Sequence, residues 1–192
     1  AAIISNVYSS TSAVGTTMAP AHAEVPLQVA AGTELWARVS AQSGGATQKI
    51  ALRGIVASAA LPPGFTACTT LVEAVSTGYA GPTNIAMDGT WALLHTTARE
   101  YGAILMSPSA GTTTLATQEI AVTLGLGEAG SEVEFYRLRA QTVNANPQLK
   151  TAGDRLLIER SIPSGEKISS SCLAANTSGN PIRLGLHGFY DA

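Results

Sequence analysis

The residues with most capacity for chemistry are three histidines, two cysteines and a run of glutamates. His22, His95 and His187 are scattered along the chain, with no spacing that gathers a metal-ligand set. No metal ligands and no cofactor are therefore assigned. Cys172 and His187 could in principle form a thiolate–imidazole pair, which needs a base close enough to activate the thiol. Both fall on strands expected to be adjacent, at positions that match Val39 and Arg53 of an internal repeat described below, which favours scaffold roles. Cys68 lies in a Thr-rich stretch, and a single Cys68–Cys172 bridge is allowed by the sequence without being indicated. Glu128, Glu132 and Glu134 could support calcium binding or paired-carboxylate hydrolysis. They equally keep a sheet edge soluble and unpaired, and that reading is preferred. GLGEAG (125–130) lacks the Lys and the helix of a phosphate loop, and no GxSxG elbow occurs. No catalytic residue is assigned, and the chain is expected not to be an enzyme.

Aromatic side chains offer a second kind of chemistry, stacking on sugar rings. Trp36 and Tyr101 are the candidate glycan contacts. Trp36 and Trp91 could fill a sandwich core just as well. AsnThrSer at 176–178 is a formal glycosylation pattern on a turn, relevant only in a secreted eukaryotic setting.

These residues must be positioned by strands. Ile120, Val122, Leu124 and Leu126 are spaced two apart, the period of a strand with one buried face. GlyGluAlaGlySer (127–131) breaks the run, and Val133 and Phe135 resume it, which predicts a hairpin. Other short strands are predicted at Ile3–Tyr8, Val25–Val29, Leu35–Ala41, Ile50–Ile55 and Trp91–His95. Tyr101–Met106 reads as a buried strand ended by SerProSerAlaGly (107–111). Ile168–Ala174 and Ile182–Gly188 complete the set. Leu71–Ser76 has an ambiguous period. The chain is thus expected to be all-β, an antiparallel, jelly-roll-like β-sandwich.

LPPGFTACTT (61–70) is the best boundary, stiffened by Pro62 and Pro63. The expected division is a small or partial β unit at 1–60, a linker at 61–70 and a jelly-roll-like domain at 71–192. Two segments match each other: 25–42 aligns with 158–175, placing Val29 on Ile162, Gly32 on Gly165, Leu35 on Ile168 and Val39 on Cys172. The second copy has many strands before it and the first has few. The first sandwich is therefore expected to begin part-way, its other half removed or supplied by another chain, or else to be a reduced unit packed on a larger one. The first residues are neither a Met nor a basic n-region, so no signal peptide is visible.

Bulk composition narrows the partners. The chain has 192 residues, of which 45% are hydrophobic and only 12% charged, with net charge -2. Without a basic run, nucleic acid is not an expected partner. No apolar stretch reaches transmembrane length, so no membrane partner is expected. Few charges and many small residues leave neutral surface suited to coverage by neighbours.

The segments GLGEAGSEV (125–133), VAAGTELWARVSAQ (29–42) and IPSGEKISSSCLAA (162–175) carry a resemblance. The pattern resembles a group of structural proteins of tailed bacteriophages, over roughly residues 25–56 and 101–189. SerGly at 164–165 in place of AlaGly, and Cys172 in mid-strand, are departures that leave the fold untouched. The resemblance implies a β-sandwich or jelly-roll unit in a head-decoration, tail or fibre component, located in the virion. It implies a homo-oligomer in contact with other virion proteins, and is compatible with a trimer. The alternative is a carbohydrate- or receptor-binding module of a phage fibre, with a surface glycan as partner.

Overall fold

The computed structural model describes residues 25–36, 64–72, 84–86, 88–110, 118–143, 146–151, 157–174 and 182–192. Among them are ten strands: β1 (Ala67–Val72), β2 (Asn84–Ile85), β3 (Ala92–Thr96), β4 (Ala103–Ala110), β5 (Gln118–Leu126), β6 (Val133–Val143), β7 (Asn146–Thr151), β8 (Leu157–Ile158), β9 (Lys167–Ala174) and β10 (Ile182–Tyr190). The expected strands before Leu61, and the matching strand of the first repeat copy, fall on residues outside this set, apart from 25–36. There Leu27 makes one isolated parallel bridge to Phe65 rather than a full strand.

The strands form two five-stranded antiparallel sheets. One runs β1-β10-β4-β8, with β2 also pairing β10; the other runs β3-β9-β5-β6-β7. The pairing is nested. β1 pairs β10, β3 pairs β9, β4 pairs β8 and β5 pairs β6. Successive nested pairs alternate between the sheets, which is a long hairpin rolled into a sandwich, the jelly-roll arrangement. The tip of that long hairpin is the Gly127–Ser131 turn. Gly127 and Gly130 hold φ of 121° and 84° there, values that suit glycine because a side chain would be strained. Ser131 N–H donates to the Glu128 carbonyl at 2.9 Å and closes the turn.

Alternation decides which side chains meet between the sheets. Ile120, Val122 and Leu124 of β5, Ile168 and Cys172 of β9, and Leu184 and Leu186 of β10 are buried in one cluster with Ile104 and Met106 of β4. Each such aliphatic side chain stabilises the fold by about 1.5–3 kcal/mol. β4 reads as a continuous apolar run because both its faces are covered. Ala103 and Leu105 point the other way, into a second cluster with Leu157, Phe189, Phe65 and Cys68.

Several expectations need correction. Ala67–Thr70, inside the expected linker, is strand paired with β10, so the sandwich starts earlier than residue 71. The ambiguous Leu71 and Val72 complete that strand. β4 does not stop at Met106: Pro108 pairs with Leu184. Among the described residues Pro108 pairs only on the β10 side, β8 pairing Ile104 and Leu105, and an edge position suits proline. Val133 does not resume the buried face and is 69% exposed. The register shifts so that Leu124 faces Tyr136 and Gly125 faces Glu134, leaving Phe135 as the extra residue of a bulge. Leu138 and Ala140 then carry the buried parity.

The repeat finds support at its turn. Gly32 and Gly165, aligned in the sequence, adopt φ of 82° and 86°. The residues around them differ in environment. Ile162 and Ile168 are fully buried, whereas their counterparts Val29 and Leu35 are 45% and 55% exposed.

Candidate functional site

The residues singled out for chemistry do not converge. β9 and β10 follow one another in the chain but belong to opposite sheets. Cys172 lies between the sheets, and His187 packs away from them, on the parity of Phe189. The expected adjacency is therefore wrong, and the thiol–imidazole pair does not form. Burial pushes the Cys172 thiol up to about 12 and the Cys68 thiol up to about 11, so both stay protonated at neutral pH. Both are free thiols in different clusters, with no bridge between them.

His187 is fully buried. Its Nδ1 lies 3.3 Å from Thr70 Oγ1, and its Nε2 has no hydrogen-bond partner among the described residues. Desolvation holds its pKa down at about 4, so the ring is neutral above that. His95, half-buried on β3, is lowered by burial too. It faces a concavity of about 210 Å³ shared with Thr70, Arg99, Tyr101 and Tyr190. The Arg99 guanidinium already sits 4.3 Å above the Tyr190 ring and covers that aromatic face. His22 lies outside the described residues.

The three glutamates of the central hairpin take separate partners. Glu128 pairs with Lys167. Glu132 accepts from the Gly130 N–H at 2.9 Å, and Glu134 pairs with Arg137. Each carboxylate thus supports the turn or the strand beside it. Among the described residues no three His, Cys, Asp or Glu side chains gather into a metal-binding group.

The two candidate glycan contacts differ sharply. Trp36 is 86% exposed, its indole N–H donating to Glu34 at 3.3 Å. Tyr101 is 2% exposed. Its backbone exchanges two hydrogen bonds with Ile162, and its ring lies over Gly188, where a Cβ would come within 2.5 Å of it. Tyr190 meets it edge-on at 5.8 Å. Tyr101 is a packing residue with no ring face open to a sugar.

A different aromatic sits at an open hollow. On the outer face of the β3-β9-β5-β6-β7 sheet, a concavity of about 170 Å³ is bounded by Trp91, Thr123, Ser171, Leu173, Glu134 and Arg137. Gly125 explains the position of Trp91: a Cβ there would lie 2.8 Å from the six-membered ring of the indole. Thr123 and Ser171 are 6% and 8% exposed, and their hydroxyls make no hydrogen bond among the described residues. Glu134 and Arg137 neutralise each other at the rim. Residue type alone weighed Trp91 equally between core and surface. Its signal is the pairing with Gly125, which only the strand order brings beside it.

No protein-family model, curated protein or solved structure matches the chain.

Proposed function

We propose that this chain is a non-enzymatic structural component of a bacteriophage virion. Its β-sandwich meets copies of itself and neighbouring capsid or tail proteins. The observation that carries this reading is the apolar arm before the sandwich. Val25, Val29, Leu35 and Trp36 are 41%, 45%, 55% and 86% exposed, while the repeat counterparts Ile162 and Ile168 are fully buried. A repeat that buries its apolar positions in one copy and exposes them in the other has surface left to cover. Covering the exposed 55% of Leu35 is worth roughly half of the ~1.5–3 kcal/mol of a full burial. Separate partners for the central glutamates, and protonated, unpaired thiols, are in keeping with a scaffold.

The test has two parts. Sedimentation of the full chain should give a discrete oligomer, and Leu35→Ser combined with Trp36→Ser should shift it towards monomer. Purified particles should contain the chain, detected by mass spectrometry. A stable monomer that is absent from particles overturns the reading. The alternative, a carbohydrate- or receptor-binding module of a phage fibre, draws support from the hollow beside Trp91 and from the exposed Trp36, while the Tyr101 ring is covered.

A further inference from the structure

We infer that the hollow beside Trp91 is a binding site for a single neutral pyranose ring, such as the terminal sugar of a surface glycan. Small residues on a sheet face would not by themselves make a site. Here two independent features add to them. The first is an aromatic wall: the Trp91 indole is laid over Gly125 at the edge of the hollow. The second is a pair of hydroxyls at the floor of the hollow. Thr123 and Ser171 are more than nine-tenths buried, line the hollow and have no hydrogen-bond partner among the described residues. Neither hydroxyl is sealed from solvent, since His187 Nε2 is the one buried, unpartnered side-chain polar atom among the described residues, so both are reached through the opening and can bond a ligand there in place of water.

The chemistry of the lining selects the ligand. Trp91 and Leu173 offer apolar contact for the C–H face of a ring. The two hydroxyls can each donate and accept, which suits the alcohol groups of a sugar. Glu134 and Arg137 add one acceptor and one donor whose charges cancel, so nothing at the rim favours a net-charged ligand. Size sets the limit. A hollow of about 170 Å³ lies below the usual ~300–1,000 Å³ of drug-sized pockets, so it accepts one ring and leaves any further glycan residues in solvent. Such contacts give weak affinity per site. The site is distinct from Trp36 and Tyr101, and it stands whether or not the chain belongs to a particle.

The chain has two tryptophans, so Trp36→Phe leaves Trp91 as the sole indole reporter. The full chain carrying that change is titrated with the methyl glycosides of glucose, galactose and mannose and with N-acetylglucosamine. At least one should give a saturable change in Trp91 fluorescence. Thr123→Val and Ser171→Ala, which keep side-chain volume close to the original, should each weaken binding by about 3- to 10-fold, the loss of one hydrogen bond. Arg99→Ala, at the other concavity, should leave it unchanged. A folded protein whose Trp91 signal responds to none of the four sugars overturns the proposal. So does undiminished binding in the combined Thr123→Val and Ser171→Ala variant. The structural role is read from mass and particle content, so its failure and the failure of this site show in different measurements.

Discussion

The two sheets of the sandwich share one interior but treat their outer faces differently. Outside β10 and β4, Phe189, Leu105, Leu157 and Ala103 form an apolar layer closed by Phe65 and Cys68. Phe65 is anchored by backbone bonds to Pro26 and Gln28, so chain that precedes the sandwich is tied to this face. Outside β5 and β9, the corresponding positions are Ala121, Thr123, Gly125 and Ser171, with Trp91 laid across them and a hollow left open. One face behaves as a second core and the other as a surface that can receive something. The difference follows from side-chain size and polarity at alternate positions, since both sheets have the same pleat.

The largest expected effect tests whether the first face is a true core. Phe189→Ala removes a fully buried ring and should cost about 3–5 kcal/mol, read as a lower urea midpoint with unchanged slope. Leu173→Ala, at the rim of the open hollow and 60% exposed, should stay within about 0.5 kcal/mol. Equal losses would erase the distinction between the faces.

The next effect is pH dependence, centred on His187 of the closed face. His187 titrates near 4 in the folded chain and near 6.5 when unfolded. Between those values the unfolded chain binds a proton that the folded chain does not. Stability is therefore full above pH 6.5, falls as the pH drops towards 4, and changes no further through this group below that. At ~1.4 kcal/mol per pH interval, the loss is on the order of 3 kcal/mol. His95, also lowered by burial, adds in the same direction. Urea midpoints measured from pH 7.5 to 4 should show the slope, and His187→Leu should flatten most of it. A slope unchanged by that substitution would place the acid sensitivity elsewhere.

How much of this was legible in the sequence depended on pairing distance. Ile120–Leu126, Ile168–Ala174 and Ile182–Gly188 alternate cleanly because each has one face between the sheets, and they appear where expected as β5, β9 and β10. The Gly-rich turn was legible too, since it is local. What alternation could not supply was the sheet to which a strand belongs. β9 and β10, neighbours in sequence, lie in opposite sheets because successive nested pairs alternate. Phe135 kept its apolar type through a bulge, so the parity change beneath it was invisible. Tyr101 and Trp91 show the same limit at the candidate site. An aromatic residue announces contact area without saying which side is covered. Tyr101 is fixed by Gly188 and Trp91 by Gly125, glycines 87 and 34 positions away that only the fold brings near.

The smallest effect separates the faces most finely, because both lay an aromatic ring on a glycine. At Gly102, ahead of β4, an added Cβ would lie 2.3 Å from the Phe65 ring; at Gly125 it would lie 2.8 Å from the Trp91 ring. Either contact is too short to persist, so Gly→Ala must move the ring. Phe65 has little room to move. It packs 6.2 Å from Phe189, and its own backbone is pinned on both sides. Gly102→Ala should therefore cost about 1–3 kcal/mol, the usual range for overpacking. Trp91 has a hollow on one side, and its indole N–H has no hydrogen-bond partner among the described residues. Gly125→Ala should let the indole swing outward at a cost below about 1 kcal/mol, while shifting its fluorescence to longer wavelength and weakening any sugar response. Denaturant unfolding of the two variants gives the comparison directly. If Gly125→Ala proves as costly as Gly102→Ala, Trp91 is locked like a core residue and the second face is closed after all.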